Sequence, residues 1–166
     1  MSGRSTHGTE GVHEQPEHVH HDAGTILARA RAFAVANGLP FTSMRERVLV
    51  LLSHASKPLT AYEIAERLSE TKKVQAVQVY RALDFLQEAG CVHRLSSRAS
   101  YFACDHEHGE GETVVFMVCN HCGNVQEAPS DLVARGLQGA AKATGFRSIH
   151  PIVEIEGECA QCSELT

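Results

Sequence analysis

Nowhere in this chain of 166 residues does an apolar run approach the roughly 20 residues that a bilayer-crossing helix requires, so a membrane-spanning helix is excluded. The start of the chain is polar and lacks an apolar signal core, so no secretory signal is expected and the cytoplasm is the expected compartment. No His-Glu-x-x-His or comparable catalytic spacing occurs, which argues against an enzyme and against a zinc hydrolase in particular. Basic residues are in deficit, 15 Lys and Arg against 20 Asp and Glu, for a formal net charge of -5. That balance speaks against a nucleic-acid partner until it is divided along the chain.

Residues 1–24 hold Arg4 against four acids, residues 25–103 hold eleven basic residues against six acids, and residues 104–166 hold three against ten. A basic middle beside an acidic tail suggests two jobs in one chain, against the plainer alternative of an unevenly charged solvated surface. Neither half could bury a large core alone, so a metal staple or a partner subunit is expected to help.

Residues 1–24 carry almost no large apolar side chains and five of the 11 histidines (His7, His13, His18, His20 and His21). Such a segment cannot offset its ordering entropy and is expected to be a disordered arm, with weak metal capture as the alternative role. From Thr25 the pattern turns helical, with Ile26, Leu27, Ala30, Phe33 and Ala34 on one face and Gly38 and Pro40 as the stop. Thr42 caps a second helix whose inner stripe is Met44, Val48, Leu51 and Leu52. Thr60-Ala61-Tyr62-Glu63 reads as a capping box opening a third helix through Ile64, Ala65 and Leu68. A fourth spans 75–89 with Val79, Leu83 and Leu86 inward, and Gly90 stands where a left-handed cap is wanted. Strands at 91–95 and 100–104 close the unit, so residues 25–104 show the winged-helix order of elements.

Residues 105–113 form an acidic hinge loop. Residues 114–166 then read as a small α/β unit: strands at 114–118 and 124–127, a helix capped by Ser130 and ending at Thr144, and a strand at 148–156. The fold class is therefore α+β.

Four of the six cysteines form two pairs, Cys119-Asn120-His121-Cys122 and Cys159-Ala160-Gln161-Cys162. A Cys-x-x-Cys turn aims both sulfurs at one point, and two such turns complete a tetrahedron about Zn²⁺. A thioredoxin-like redox pair would open a helix, whereas strand-forming Val125 and Gln126 follow the first pair. Structural disulfides are disfavoured in a reducing compartment. A closed four-thiolate zinc site is the reading that remains. A softer set of metal ligands, His93, Cys104, His106, His108, Glu112 and Glu127, flanks the junction of the halves. A mixed nitrogen, sulfur and oxygen site holds metal less tightly, so it can fill and empty, and Cys104 biases it toward zinc over iron.

The run Val79-Tyr80-Arg81-Ala82-Leu83-Asp84-Phe85-Leu86, continued by Gly90-Cys91-Val92-His93, resembles the recognition-helix and wing signature of the ferric uptake regulator family. Ser100-Tyr101 with Cys104, Cys119 to Gly123, Thr60 to Ile64 and the Cys159/Cys162 pair follow in the family's order. The resemblance spans about residues 28–162 and is strongest to the zinc uptake branch. It implies a homodimer that represses zinc-acquisition genes by binding palindromic double-stranded DNA when zinc is plentiful. It also implies at least one regulatory zinc per subunit beside the structural one. His93, Cys104 and Glu127 fall on sensor-ligand positions. The fourth ligand is where the chain departs: an ungapped match puts Glu112 where the zinc branch often has His, and His106, with His108 behind it, offers an alternative.

In the same reading the fourth helix enters the major groove, and Arg81 donates to the O6 and N7 acceptors of guanine. Gln75, Gln78 and Tyr80 assist. Tyr62, Arg45, Arg47, Lys72, Lys73 and Arg98 are expected at phosphate and sugar, where they supply register rather than sequence. Tyr62 as a packing aromatic and the lysines as a solvated connector are the bland alternatives. Rival functions are a family member sensing iron, manganese or peroxide, and a zinc store.

Overall fold

The computed structural model describes residues 22–69, 73–104, 106, 108, 112–128, 131–147 and 151–164. Lys72, Ser130 and residues 1–21 of the histidine-rich arm lie outside these. The first helix, α1 (Ala23–Ala36), begins two residues before the apolar pattern does. Its start is set by Asp22, which accepts from the Gly24 amide at 3.0 Å. In place of an arm ending at residue 24, the chain is therefore helical from Ala23. Thr42 caps α2 (Ser43–Ser53), as its hydroxyl chemistry suggests.

The third helix, α3 (Ala61–Arg67), opens on the full capping box. Glu63 accepts from the Thr60 amide at 2.7 Å, while the Thr60 hydroxyl accepts from the Glu63 amide at 3.2 Å. The same amide and hydroxyl hold the Glu63 carboxyl below its ordinary range. The fourth, α4 (Ala76–Glu88), ends at Gly90, whose φ of 65° is the left-handed cap a side chain would resist.

A two-residue strand, β1 (Leu59–Thr60), precedes α3 and was not signalled by any periodicity. It pairs with β3 (Ser100–Ala103), which pairs in turn with β2 (Val92–Leu95), giving an antiparallel sheet of order β1-β3-β2. The helices and this sheet enclose a core in which Ile26, Leu49, Ile64, Val79, Leu83 and Leu86 are fully buried. This is a winged helix-turn-helix.

The second unit is built on β4 (Val114–Cys119), flanked by antiparallel β5 (Val125–Ala128) and parallel β6 (Ile152–Gly157). Helix α5 (Asp131–Thr144) makes the crossover between β5 and β6 that a parallel pair requires. A four-residue helix, α6 (Ala160–Ser163), ends the chain and was likewise unforeseen.

The wing hairpin serves both units. Tyr101 and Ala103 point into the helical core, while Phe102 points the other way, onto Phe116. Leu95, Val114, Phe116 and Val118 form the second, smaller core at this junction. Three hydrogen bonds, from the Ser96 amide (2.6 Å), the Ser97 amide (3.1 Å) and the Ser97 hydroxyl (2.7 Å) to Glu154 on β6, fasten the wing tip. No helix among the described residues is long and apolar enough to cross a membrane.

Replacing Thr60 by Ala removes one half of the capping box. The expected outcome is a loss of about 1 kcal/mol, read as a lowered urea midpoint at unchanged slope.

Candidate metal centres and nucleic-acid interface

The parallel pairing of β4 with β6 decides where the cysteines go. Cys119 ends β4 in register with Gly157, which ends β6, so the two Cys-x-x-Cys turns emerge side by side. Gly123 (φ 76°) reverses the chain after the first pair, and its amide donates to the Cys119 carbonyl at 3.0 Å. Cys159 stands at the N-terminus of α6, one turn before Cys162.

All four sulfurs lie within 4.8 Å of one another. The Cys122 and Cys159 sulfurs are 3.8 Å apart. Sulfurs about 2.3 Å from a zinc ion at tetrahedral angles are separated by about 3.8 Å, so this donor set fits zinc. None of the four is in a disulfide. The amides of Cys122 and Cys159 push the Cys119 thiol down to about 5. Cys162, hydrogen-bonded to Cys159, is pushed up to about 12. The Cys119 thiol thus ionises readily while Cys122 and Cys162 resist ionising beside it. His121, inside the first turn, pairs instead with Glu158 at 2.8 Å.

The softer set also converges. The outward face of the wing carries His93, register partner of Phe102, and the hairpin's exit carries Cys104. Glu127 faces them from β5. His93, Cys104 and His108 form one group with ligand atoms within 4.8 Å, and Cys104, His106 and Glu127 form another. The Cys104 sulfur is 3.5 Å from His108 Nε2 and 4.0 Å from His106 Nδ1. Glu127 reaches His106 Nδ1 at 3.2 Å and His108 Nε2 at 3.8 Å.

Among the described residues His93 Nε2 is buried with no hydrogen-bond partner. Burial, with the charges of His108 and Arg29 behind it, pushes His93 down to about 4, so its imidazole is neutral and able to ligate. Glu112, the residue an ungapped match selects, joins neither group of described residues. The two histidines differ in burial: the His108 side chain is 13% exposed and that of His106 63%.

On the winged unit, α4 exposes Val77, Gln78, Tyr80 and Arg81. The Gln78 side-chain Oε1 accepts from the Gln75 backbone amide at 3.2 Å and so finishes the helix start. Tyr62 is 70% exposed and meets the Tyr80 ring edge-on at 6.5 Å, which makes the two tyrosines one ridge beside the helix. Lys73 is exposed just before it.

Three arginines expected at phosphate are engaged within the protein. Arg45 lies 3.6 Å from the Phe85 ring centroid and donates to the Pro40 carbonyl. Arg47 donates to the Leu68 carbonyl at 2.6 Å. Arg98 donates to the Cys119 carbonyl and to Asn120 Oδ1, bridging wing turn and first knuckle. Sequence reasoning missed this bridge, as it missed Glu154, because neither position carries a motif.

A model of the ferric uptake regulator family matches residues 36–156. The chain belongs to the ferric uptake regulator family. Its relatives include the zinc uptake regulation protein of Escherichia coli (strain K12), 33% identical over 141 residues that cover 84% of this chain and 82% of that one. The peroxide operon regulator of Bacillus subtilis (strain 168) is 29% identical over 133 residues, covering 76% and 86%. Among solved structures, a zinc uptake regulator complexed with zinc and DNA superposes with a TM-score of 0.77 at 31% identity, covering 87% of this chain and 97% of that one.

Phe116 is 1% exposed and stands between Phe102 and the His93 ring. Phe116→Ala is expected to cost about 3–5 kcal/mol by opening a cavity at the junction. A denaturant midpoint close to that of the parent would show that the junction core contributes little.

Proposed function

We propose that this chain is a zinc-responsive transcriptional repressor whose homodimer presents two copies of α4 to a palindromic operator. The single observation behind the reading is a pair of overlapping groups, His93, Cys104 and His108 in one and Cys104, His106 and Glu127 in the other, which share the Cys104 sulfur and draw on β2, the exit of β3 and β5. Donors from the wing and from the second unit can meet at one ion in one arrangement only. A ligand that binds that arrangement better than others shifts the population toward it, which is what a metal-dependent switch requires.

In this reading the regulatory set is His93, Cys104, His108 and Glu127. His108 is chosen over His106 for its burial, and His106 then orients the Glu127 carboxylate through their 3.2 Å contact. Bound zinc would supply a positive charge to which a thiolate, two imidazoles and a carboxylate are all drawn. Four protein donors leave no position for a reacting water, which favours regulation over hydrolysis. The four-cysteine cluster would hold a second zinc permanently and contribute to folding, so each subunit carries one structural and one regulatory ion.

The division of labour we adopt is a DNA-binding unit over 25–104, a hinge at 105–113 and a dimerisation and metal unit over 114–166. Met117, Leu137, Phe146, Ile152 and Ile155 are large apolar side chains left exposed on the second unit, and a cavity of about 770 Å³ opens between α5 and β6. That face supports the homodimer. We take the protein to act in the cytoplasm, in keeping with the DNA partner proposed. The zinc relatives and the thiolate of Cys104 favour zinc over iron, manganese or peroxide as the signal.

Operator binding measured by gel shift across buffered zinc, with iron and manganese as controls, tests the proposal. Zinc should be the metal that tightens binding. Cys104→Ser is expected to abolish the zinc response while leaving a folded dimer, and a mutant that kept its full response would remove the wing site from the mechanism. Arg81→Ala is expected to lose about 1–3 kcal/mol, chiefly in discrimination between the operator and altered sites. Uniform weakening on every sequence would make Arg81 a phosphate contact instead.

A further inference from the structure

Arg29, on α1, has no place in the sequence motifs, yet its guanidinium gathers acceptors from two separate stretches of chain. It donates to the Gly90 carbonyl at 3.1 Å, to the His106 carbonyl at 3.0 Å and to the Cys104 carbonyl. Its Nε lies 3.5 Å from the Cys91 sulfur. Gly90 caps the C-terminal end of α4, where helix carbonyls lack intrahelical partners and the dipole favours a cation. Cys104 and His106 carry two of the side chains that converge at the wing site.

We infer that Arg29 is a positioning residue that ties the backbone of the regulatory metal loop to the end of the DNA-reading helix. The inference rests on the function proposed above and names the physical link that function needs. A planar fork of five N–H donors suits several carbonyls at fixed angles, a task a lysine ammonium cannot reproduce.

Side-chain convergence at the wing site fixes the carbonyls of Cys104 and His106 in space. Arg29 then holds the Gly90 carbonyl, and with it the last turn of α4, to the same frame. Linkage makes the effect mutual: seating α4 on DNA must tighten the metal site by the factor by which metal tightens DNA. Arg29 reaches Cys104 and His106 through their backbone carbonyls, so its hold on the site runs through backbone geometry.

The test uses the full-length protein, with its zinc affinity measured by competition against a chromophoric chelator, first without DNA and then with operator present. Operator affinity is measured with zinc and after mild chelation. Arg29→Met keeps the aliphatic stem and removes the donors. It should weaken zinc binding about tenfold or more, as loss of an outer-shell partner does, and shrink the zinc-dependent gain in operator affinity.

Arg29→Lys keeps the charge at the helix end and should show the same losses at smaller size. Circular dichroism melts of the chelated proteins separate this from a general loss of fold, and Arg29→Lys decides the matter if Arg29→Met does not fold. Parental zinc affinity and parental coupling in a folded variant would overturn the inference. So would complete rescue by lysine, because charge alone would then suffice. Parental protein whose operator binding ignores zinc would instead defeat the functional proposal, while zinc affinity without DNA would still report whether Arg29 holds the loop.

Discussion

The wing hairpin has two buried faces, and the rest of the molecule is arranged around that constraint. Most hairpins on small domains pack one face on a core and leave the other to water. Here the alternation of side chains along β3 sends Tyr101 and Ala103 into the helical core and Phe102 onto Phe116 of the second sheet. The same two-residue period puts His93 beside Phe102, between the units, where among the described residues no hydrogen-bond partner meets its Nε2. Covering that outer face therefore does two things. It buries apolar area at the junction, and it strips an imidazole of water, which disfavours its charged form.

The two sulfur-bearing sites differ because their scaffolds differ. The four-cysteine cluster lies at the ends of adjacent strands of one sheet, so its geometry is set chiefly by the β4–β6 register. Its donors are all thiols, the chemistry that favours a closed zinc site. The wing cluster draws donors from a hairpin, a connecting segment and a strand of the other sheet, so its geometry depends on how the two units are set. Sites of the first kind stabilise a fold, and sites of the second kind report on an arrangement.

Much of this was legible in the residues. The four N-terminal helices carry apolar stripes, and their ends are marked by Thr42, by the Thr60–Glu63 box and by Gly90. The cysteine pairs announce their own chemistry by spacing. What escaped has physical reasons. A two-residue strand and a four-residue helix are too short to show a period. The position of Glu112 relative to the cluster depends on the path of the loop before it, which no pattern encodes. Arginine charge did not show where these side chains reach: Arg45, Arg47 and Arg98 each find carbonyls or a ring within the protein. Charge states what a side chain can do, and only the fold states which way it points.

That inward turn of arginine bears on how an acidic chain can serve DNA. With 20 acids against 15 bases, the chain as a whole repels a polyanion. The favourable potential comes from the basic winged unit, and the unfavourable one from the acidic unit attached to it. When the net sum is repulsive, affinity depends on orientation, because the field at the phosphates changes with the angle between the units. A contact that sets this angle, whether at Glu154, at Arg98 or at the wing cluster, thus acts on DNA affinity without touching DNA. The effect should be screened by salt over the Debye length, about 8 Å at physiological ionic strength, whereas base reading by α4 should not be. Orientation and readout are therefore separable contributions in one small chain, the first held by the junction and the second by a helix face.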